Sequence, residues 1–256
     1  MQEKHLNDKD AMPLSGHLLE LRQRLIKIAV ILTAGAVAAA AYSERLFALL
    51  ERPLIQSLPA SSNLIALSPI EGWLVYFKIA VVASVFLTAP FWFYHVWAFA
   101  APALAKNERR IIFYSSLASA FCFIAGALFG YFVILPKGLQ YLVAIYEGSG
   151  ISLLPQMQWY LSFILRALVA FGVVFEIPLV LVLLTRLGVV GIGGLRSARK
   201  YVIVGIFIFA AIITPGPDIF SQIAVAIPLI IFYELGIIAA VIMERKAYVK
   251  TAVDKA

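Results

Sequence analysis

The most constraining feature of this chain is a 19-residue stretch, Ala167 to Thr185, whose only charged residue is Glu176 at its midpoint. Arg166 and Arg186 bound the stretch. A helix of about 20 residues spans the hydrocarbon core of a bilayer. A carboxylate at mid-depth costs about 2.5–3.5 kcal/mol unless it is protonated or faces protein or water. The sequence therefore predicts a membrane protein with a polar feature at mid-depth.

Composition and periodicity extend this prediction to the whole chain. Hydrophobic residues make up 62% of the 256 residues and charged residues 14%, against roughly 25% charged in soluble domains. The alternation typical of a β-barrel is absent, so we expect an all-α, polytopic membrane protein with one transmembrane domain over residues 1–256. Its six apolar runs predict spans at approximately Ile26–Tyr42, Trp73–Phe99, Ile111–Leu135, Trp159–Thr185, Tyr201–Ile213 and Ile219–Met243.

Lysine and arginine are unevenly divided between alternate loops. The two tails and the even-numbered loops hold 15 of them, and the odd-numbered loops hold three, Arg45, Arg52 and Lys137. Because basic loops remain in the cytoplasm, we expect both termini there. This bias accounts for the net charge of +7, so nucleic acid is not an expected partner. The absence of an Arg- and Ser-rich leader favours a bacterial cytoplasmic (inner) membrane.

Three prolines and two short runs predict departures from straight spans. Pro90, Pro178 and Pro228 lie inside the second, fourth and sixth spans, where each tends to kink its helix. Bent helices can enclose a concave face, although proline is common in membrane helices. The fifth run has only 13 residues and Glu234 interrupts the sixth. We therefore expect short fifth and sixth helices that do not cross an undistorted bilayer.

Residues 14–25 have the pattern of an interfacial amphipathic helix that leads into the first span. Its leucines recur from Leu14 at i, i+4, i+7 and i+11, on one helical face. A membrane-surface anchor is the simpler interpretation. An acid does not help such an anchor, because the leaflet surface is negative. Glu20 is therefore a candidate binding residue.

A second acid lies at the same predicted membrane face. The loop at residues 100–110 contains a single acid, Glu108, among three basic residues. Asn107 can cap the third helix, and Glu108 favours its N-terminal dipole, which would be a purely structural role. The alternative is that Glu108, like Glu20, binds a cationic partner.

Glu176 and Asp218 also have two interpretations each. Arg166 is ten residues from Glu176, about 280° around the helix, so the two do not pair. Glu176 either bonds to a neighbouring helix or meets a polar residue of a partner's transmembrane helix on a concave, partly hydrated face. Asp218 caps the sixth helix or, with Gln222, takes part in the same polar contact.

Four motifs in this order closely resemble the TatC family, the multispanning receptor subunit of the twin-arginine protein translocase. They are HLLELRQRL from His17, the VWAF-APAL-K-ERR loop before the third span, AFGVVFEIP around Glu176, and TPGPDIFSQ before the sixth span. The resemblance covers residues 14 to about 243. Two features depart from it: Arg166 stands where the family is apolar, and the turn reads TPGPD instead of TPPD.

The resemblance implies a receptor for the twin-arginine signal peptide of folded precursor proteins, bound at the cytoplasmic face. It also implies single-span partners of the TatA/TatB type, further copies of the chain, surrounding membrane lipid, and transport driven by the proton-motive force. Two tandem guanidinium groups require two carboxylates. The implied signal-peptide site is Glu20, Arg22, Phe99, Glu108, Arg109 and Arg110. The predicted polar partner contact is Glu176, Asp218 and Gln222, and the predicted docking face for a partner helix is Val202, Gly205, Phe209 and Ile213.

Other function classes have weaker support. The sequence lacks nucleotide-binding, hydrolytic and metal-ligand motifs, so we expect neither an enzyme nor a cofactor. The alternative is an ion- or proton-coupled secondary transporter of small solutes, supported by Glu176 and the short, proline-interrupted segments. An intramembrane protease is disfavoured because a nucleophile–base pair is missing.

Overall fold

The computed structural model describes residues 14–59, 64–100, 109–146, 153–214 and 219–253. Within these ranges the regular secondary structure is helical, apart from an isolated parallel bridge between Ile65 and Gln156, and the predicted all-α class is confirmed. The elements are α1 (Leu14–Ala40), α2 (Ser43–Ile55), α3 (Glu71–Leu87), α4 (Ala89–Ala100), α5 (Arg109–Phe129), a π-helical turn (Gly130–Ile134), α6 (Leu135–Ala144), α7 (Met157–Phe175), α8 (Ile177–Arg186), α9 (Ile192–Ile213) and α10 (Ile219–Val253).

Four segments of the described chain are long and apolar enough to cross a membrane. They are Gly16–Ala40, Ile112–Ala144, Met157–Arg186 and Val225–Glu244. The bent pair of α3 and α4 provides a fifth if it forms one span. The apolar part of α9 is too short to meet the same criterion, so the count of six spans stays a prediction.

Two of the three prolines coincide with breaks in a helix. The α3 and α4 axes differ by 59° next to Pro90, and α7 ends at Phe175, just before Pro178. A proline cannot donate to the carbonyl four residues earlier, and its ring collides with that carbonyl. At the first break the Trp92 indole N–H donates to the carbonyl of Val85 at 2.9 Å. Pro228, in contrast, lies inside the continuous helix α10.

The helices extend further than the apolar runs predicted. α9 begins at Ile192 and α10 continues to Val253, because polar residues prolong both helices beyond their apolar parts. Glu234, predicted to interrupt the sixth span, lies within α10 and accepts a hydrogen bond from Arg199 Nη2 at 2.6 Å. Residues 14–25 and the first span form one helix, α1.

We call the end of the bundle that carries the start of α1 and the end of α4 the basic end, and the other the opposite end. The predicted loop at the opposite end contains the amphipathic helix α2. Its backbone carbonyls at Leu49 and Leu50 accept hydrogen bonds from the hydroxyls of Tyr131 and Tyr160 at 2.6 and 3.0 Å. α2 is therefore fixed on the bundle, in a segment between two predicted spans for which the sequence analysis predicted no helix.

Helices α5 and α7 pack closely against each other through glycines. A Cβ atom at Gly172 would lie 2.6 Å from the ring of Phe123, and one at Gly126 would collide with the backbone carbonyl oxygen of Phe171. Small residues allow membrane helices to approach closely, and packing is a main source of their association. Glycine is therefore required at these two positions.

We expect Gly126→Ala to lower the thermal stability of the purified protein, because a backbone carbonyl cannot move aside as a side chain can. Overpacking of this kind costs about 1–3 kcal/mol. Gly138→Ala is the matched control, since a Cβ there meets nothing within 4 Å. Alanine in a helix interior is favoured over glycine by up to about 1 kcal/mol, so the control should be unchanged or more stable. Equal melting temperatures in detergent for both variants would contradict this account of the α5–α7 contact.

Candidate functional site

The basic end brings α1 and α4 together. The His17 imidazole stacks on the Phe99 ring with centroids 4.4 Å apart and planes inclined by 18°. Further along α1, a Cβ at Gly35 would lie 2.7 Å from Thr88 Cγ2, so α1 approaches the α3–α4 bend closely. These two contacts fix Phe99 beside the amphipathic part of α1, as the predicted site requires.

Glu20 already binds a guanidinium group. Arg24 donates to Glu20 Oε1 from Nε at 3.0 Å and from Nη2 at 2.5 Å. The Arg24 and Glu20 side chains are 22% and 25% exposed, so the pair is partly screened from solvent. The sequence interpretation did not include this pair, although the i, i+4 spacing of an acid and a base indicates it.

His95 is a further polar residue at this end that the sequence analysis did not select. It lies on α4 near Arg24 and Lys27. Its Nδ1 atom is buried and has no hydrogen-bond partner among the described residues. A buried ring nitrogen without a partner is uncommon, so His95 adds an unused hydrogen-bonding group beside the Glu20–Arg24 pair.

The remaining predicted residues of the signal-peptide site are less fully described. Arg22 and Arg110 have exposed side chains. Arg109 begins α5, but its side chain, like the whole of Glu108, lies outside the described part of the structure. The convergence of Glu108 with Glu20 therefore stays a prediction. In the described ranges, no group of three or more His, Cys, Asp or Glu residues is arranged to hold a metal ion.

Glu176 lies in the interior, at the break between α7 and α8. The residue is 9% exposed, and its Oε1 atom is buried without a hydrogen-bond partner in the described structure. The hydroxyl of Ser119 on α5 is near enough to interact with the carboxyl group. Ser119 also accepts a hydrogen bond from the Trp97 indole N–H at 2.9 Å. Glu176 thus faces a neighbouring helix, and its predicted contact with a partner helix stays a prediction.

The structure gives α9 a different exposed stripe from the predicted docking face. Val202, Phe209 and Ile213 are half-buried and pack against the chain's own hydrophobic clusters, because they share a face with the buried Ile206 and Ala210. Of the predicted four, only Gly205 is exposed. The exposed stripe consists of Tyr201, Val204, Ile208 and Ile212. In the predicted polar contact, Asp218 lies outside the described residues and Gln222 is half-buried on α10.

Comparison with known proteins gives consistent matches over most of the chain. The family described as Sec-independent protein translocase protein (TatC) matches residues 16–228. A relative from Desulforapulum autotrophicum with that name is 38% identical over 93% of this chain and 88% of its own length. The protein of that name from Escherichia coli K12 is 36% identical over 90% of this chain and 88% of its own. A crystal structure of the twin-arginine translocase receptor TatC superposes with a TM-score of 0.79 at 36% identity, covering 88% of this chain and 98% of that one.

The Trp97–Ser119 hydrogen bond predicts coupled effects on stability. Trp97→Phe removes one hydrogen bond, worth about 1 kcal/mol, whereas Ser119→Ala leaves the indole N–H and the Glu176 carboxyl without that hydroxyl, at about 1–3 kcal/mol. Because both changes remove the same bond, we expect the double variant to cost less than their sum. Melting temperatures of the four proteins form the cycle, and the exposed Trp159 provides Trp159→Phe as the control. Strictly additive losses would show that the two residues are not coupled.

Proposed function

The chain belongs to the TatC family of Sec-independent protein translocase components, and we propose that it is the receptor for twin-arginine signal peptides of folded precursor proteins. The peptide binds at the basic end, which faces the cytoplasm of a bacterium, with both chain termini on that side of the inner membrane. The 15-to-three division of basic residues between alternate loops supports this orientation. Translocation is driven by the proton-motive force, as the resemblance implies. Family membership favours protein translocation over the small-solute transporter alternative.

The main support for this proposal is the environment of the Glu20 carboxylate. Its carboxylate is partly buried, lies on the helix that holds the His17–Phe99 stack, and binds the guanidinium of Arg24 through two nitrogen atoms. A site that accepts one guanidinium in this way has the chemistry to accept another. Arginine suits it better than lysine, because its planar donors match a carboxylate.

The signal peptide binds by exchange at this position. An i, i+4 ion pair on a helix contributes only about 0.3–0.5 kcal/mol, so an incoming arginine displaces Arg24 at little cost. Glu108 supplies the carboxylate for the second arginine. The exposed Arg22 and Arg110 repel cationic ligands, so a peptide binds only if its two arginines pair with the two carboxylates. Phe99 gives the site an apolar wall.

We expect Glu20→Gln to weaken binding of a peptide with paired arginines by roughly 10- to 150-fold, because a charge-assisted hydrogen bond worth about 1.5–3 kcal/mol is lost. Arg24→Gln should leave affinity unchanged or raise it by up to about twofold, since only the competing ion pair is removed. The measurement is fluorescence anisotropy of a labelled peptide with the purified chain. A peptide with lysine in place of both arginines should bind weakly.

The matched control is Glu44→Gln, which removes an exposed carboxylate at the opposite end of the bundle. Wild-type affinity for Glu20→Gln, or equal affinity for the arginine and lysine peptides, would refute the proposed role of Glu20. If Glu44→Gln lost as much peptide affinity as Glu20→Gln, the effect would be explained by the change in net charge and not by a contact with Glu20.

The single-span partners of the TatA/TatB type dock on the exposed stripe of α9. The apolar part of this helix is too short to cross an undistorted bilayer, so a partner helix that covers it reduces the mismatch. The stripe Tyr201, Val204, Ile208 and Ile212 has the spacing of one helical face. The complex contains more than one copy of the chain, as the resemblance implies, and Glu176 and Gln222 contribute the predicted polar contact.

Cysteine crosslinking tests the docking surface. Cysteines at Val204, Ile208 and Ile212 should crosslink to a cysteine in the partner's transmembrane helix. Those at Ile206 and Ala210, which are 6% and 0% exposed, should not. The expected pattern recurs every three to four residues. Uniform crosslinking along α9, or crosslinking concentrated on another helix, would exclude this stripe.

A further inference from the structure

Two cations, the half-buried Lys78 and the exposed Arg166, lie at the depth of the apolar part of the bundle near its opposite end. Lys78 is about two turns into α3 and Arg166 about two and a half turns into α7, roughly 10 and 14 Å from the starts of their helices. Both helices start at the same end, because Gln156 Nε2 donates to Glu71 Oε1 at 2.7 Å. Charged side chains at such depth are rare in membrane proteins and mark sites that interact with a polar group.

The two cations are held side by side on a single residue. Lys78 Nζ donates to the hydroxyl of Ser162 at 3.0 Å, and Arg166 Nε donates to the backbone carbonyl of the same serine at 3.0 Å. An ammonium group has three donors and a guanidinium group five, so within the described ranges most of these donors have no partner. The arrangement places two positive charges at one depth, with N–H groups that the described residues do not occupy.

No carboxylate in the described chain neutralises this pair. The two described ion pairs are Glu20 with Arg24 and Glu234 with Arg199. Glu176 faces Ser119 on α5 instead. The positive charge therefore requires an anion from outside the described chain.

Lys78 and Arg166 line a groove of about 820 Å³, and the end of α9 beside this groove shows how an anion reaches their depth. Its other walls are apolar and include Val169 of α7 together with Phe209, Ile212 and Ile213 of α9. Because α9 ends at Ile213, its tip lies at the level of the two cations and not at the level of Glu71. The last carbonyl groups of a helix require polar partners. We therefore expect the polar surface of the bilayer to be lowered to the depth of the cations at this point.

We propose that Lys78 and Arg166 bind the phosphate of an anionic phospholipid in the leaflet at the opposite end. The guanidinium of Arg166 bonds the phosphate oxygens in its fork geometry, the ammonium of Lys78 adds a second charge, and the apolar walls of the groove contact the acyl chains. A phosphate reaches this depth because the leaflet is thinned at the α9 tip. If the anion were instead a carboxylate on a partner's transmembrane helix, that carboxylate would have to enter the apolar region of the bilayer, which is energetically costly.

Lipid retention tests this site in the full chain. The protein is reconstituted alone into nanodiscs of phosphatidylethanolamine and phosphatidylglycerol, and retained lipid is identified by native mass spectrometry. The wild type should retain phosphatidylglycerol preferentially. The double variant Lys78→Gln/Arg166→Gln should retain it at least roughly 10-fold less, because charge-assisted hydrogen bonds are lost. Lys137→Gln, the same charge change at an exposed position outside the groove, should behave as wild type.

A second measurement keeps the test decisive if the double variant does not fold. Phosphatidylglycerol with a photoreactive headgroup should label wild-type peptides from α3 and α7, and the exchange Lys78→Arg/Arg166→Lys should keep the label. Equal retention of both lipids, or labelling confined to other helices, would overturn the proposal. So would a double variant that retains phosphatidylglycerol normally but loses a coexpressed single-span partner, since the cations would then bind a partner carboxylate.

Discussion

The close contact between α5 and α7 orients α4 and, through α4, positions α1. Membrane helices lack a strong hydrophobic drive to associate, so a small separation and good packing have to hold them together. Gly172 accommodates the ring of Phe123, which is 1% exposed. The other side of that ring contacts Trp92 and Phe93 of α4, at centroid distances of 5.7 Å. The contact therefore orients α4, and α4 carries Phe99 to His17 of α1.

The two ends of the bundle are held by different kinds of interaction. At the opposite end, α2 is fixed by tyrosine hydroxyls, and the backbone N–H groups of Ile65 and Met157 pair with carbonyl groups at 3.1 and 2.9 Å. At the basic end, α1 meets α4 through a ring stack, whereas α9 and α10 are joined by a buried hydrogen bond from the Tyr233 hydroxyl to the Leu195 carbonyl and by the Arg199–Glu234 ion pair. Regions with few buried hydrogen bonds open at low free energy. The α1–α4 contact, a ring stack, is therefore expected to open more easily than the contacts that hold α2 on the bundle.

The sequence predicted the class of the fold and the location of the breaks better than the contacts within the site. An uncharged run of spanning length and a proline inside it are local properties, so the break beside Glu176 was predictable. Helix α2 was not predicted, because polar residues of its exposed face interrupt the leucines that pack against the bundle. The exposed stripe of α9 also differs from the predicted docking face, since the eight apolar residues Ile206–Ile213 offer no periodicity to show which side packs on α7 and α10. The Glu20–Arg24 pair was readable from its spacing, whereas the positions of Ser119 and Trp97 depend on the α4–α5 packing.

Charged residues in the apolar part of the chain fall into two groups, buried acids that contact a neighbouring helix and cations that line a groove. Glu71 and Glu176 are buried, 4% and 9% exposed, and each faces a polar side chain of another helix, Gln156 and Ser119. Their interactions are internal and hold helices together. Lys78 and Arg166 instead share one serine and direct their remaining donors into a groove. Each acid has one polar neighbour, although its other oxygen is buried without a partner in the described structure, whereas two adjacent cations repel each other unless an anion joins them. The acids therefore join helices within the bundle, and the cations form a site that the surrounding membrane completes.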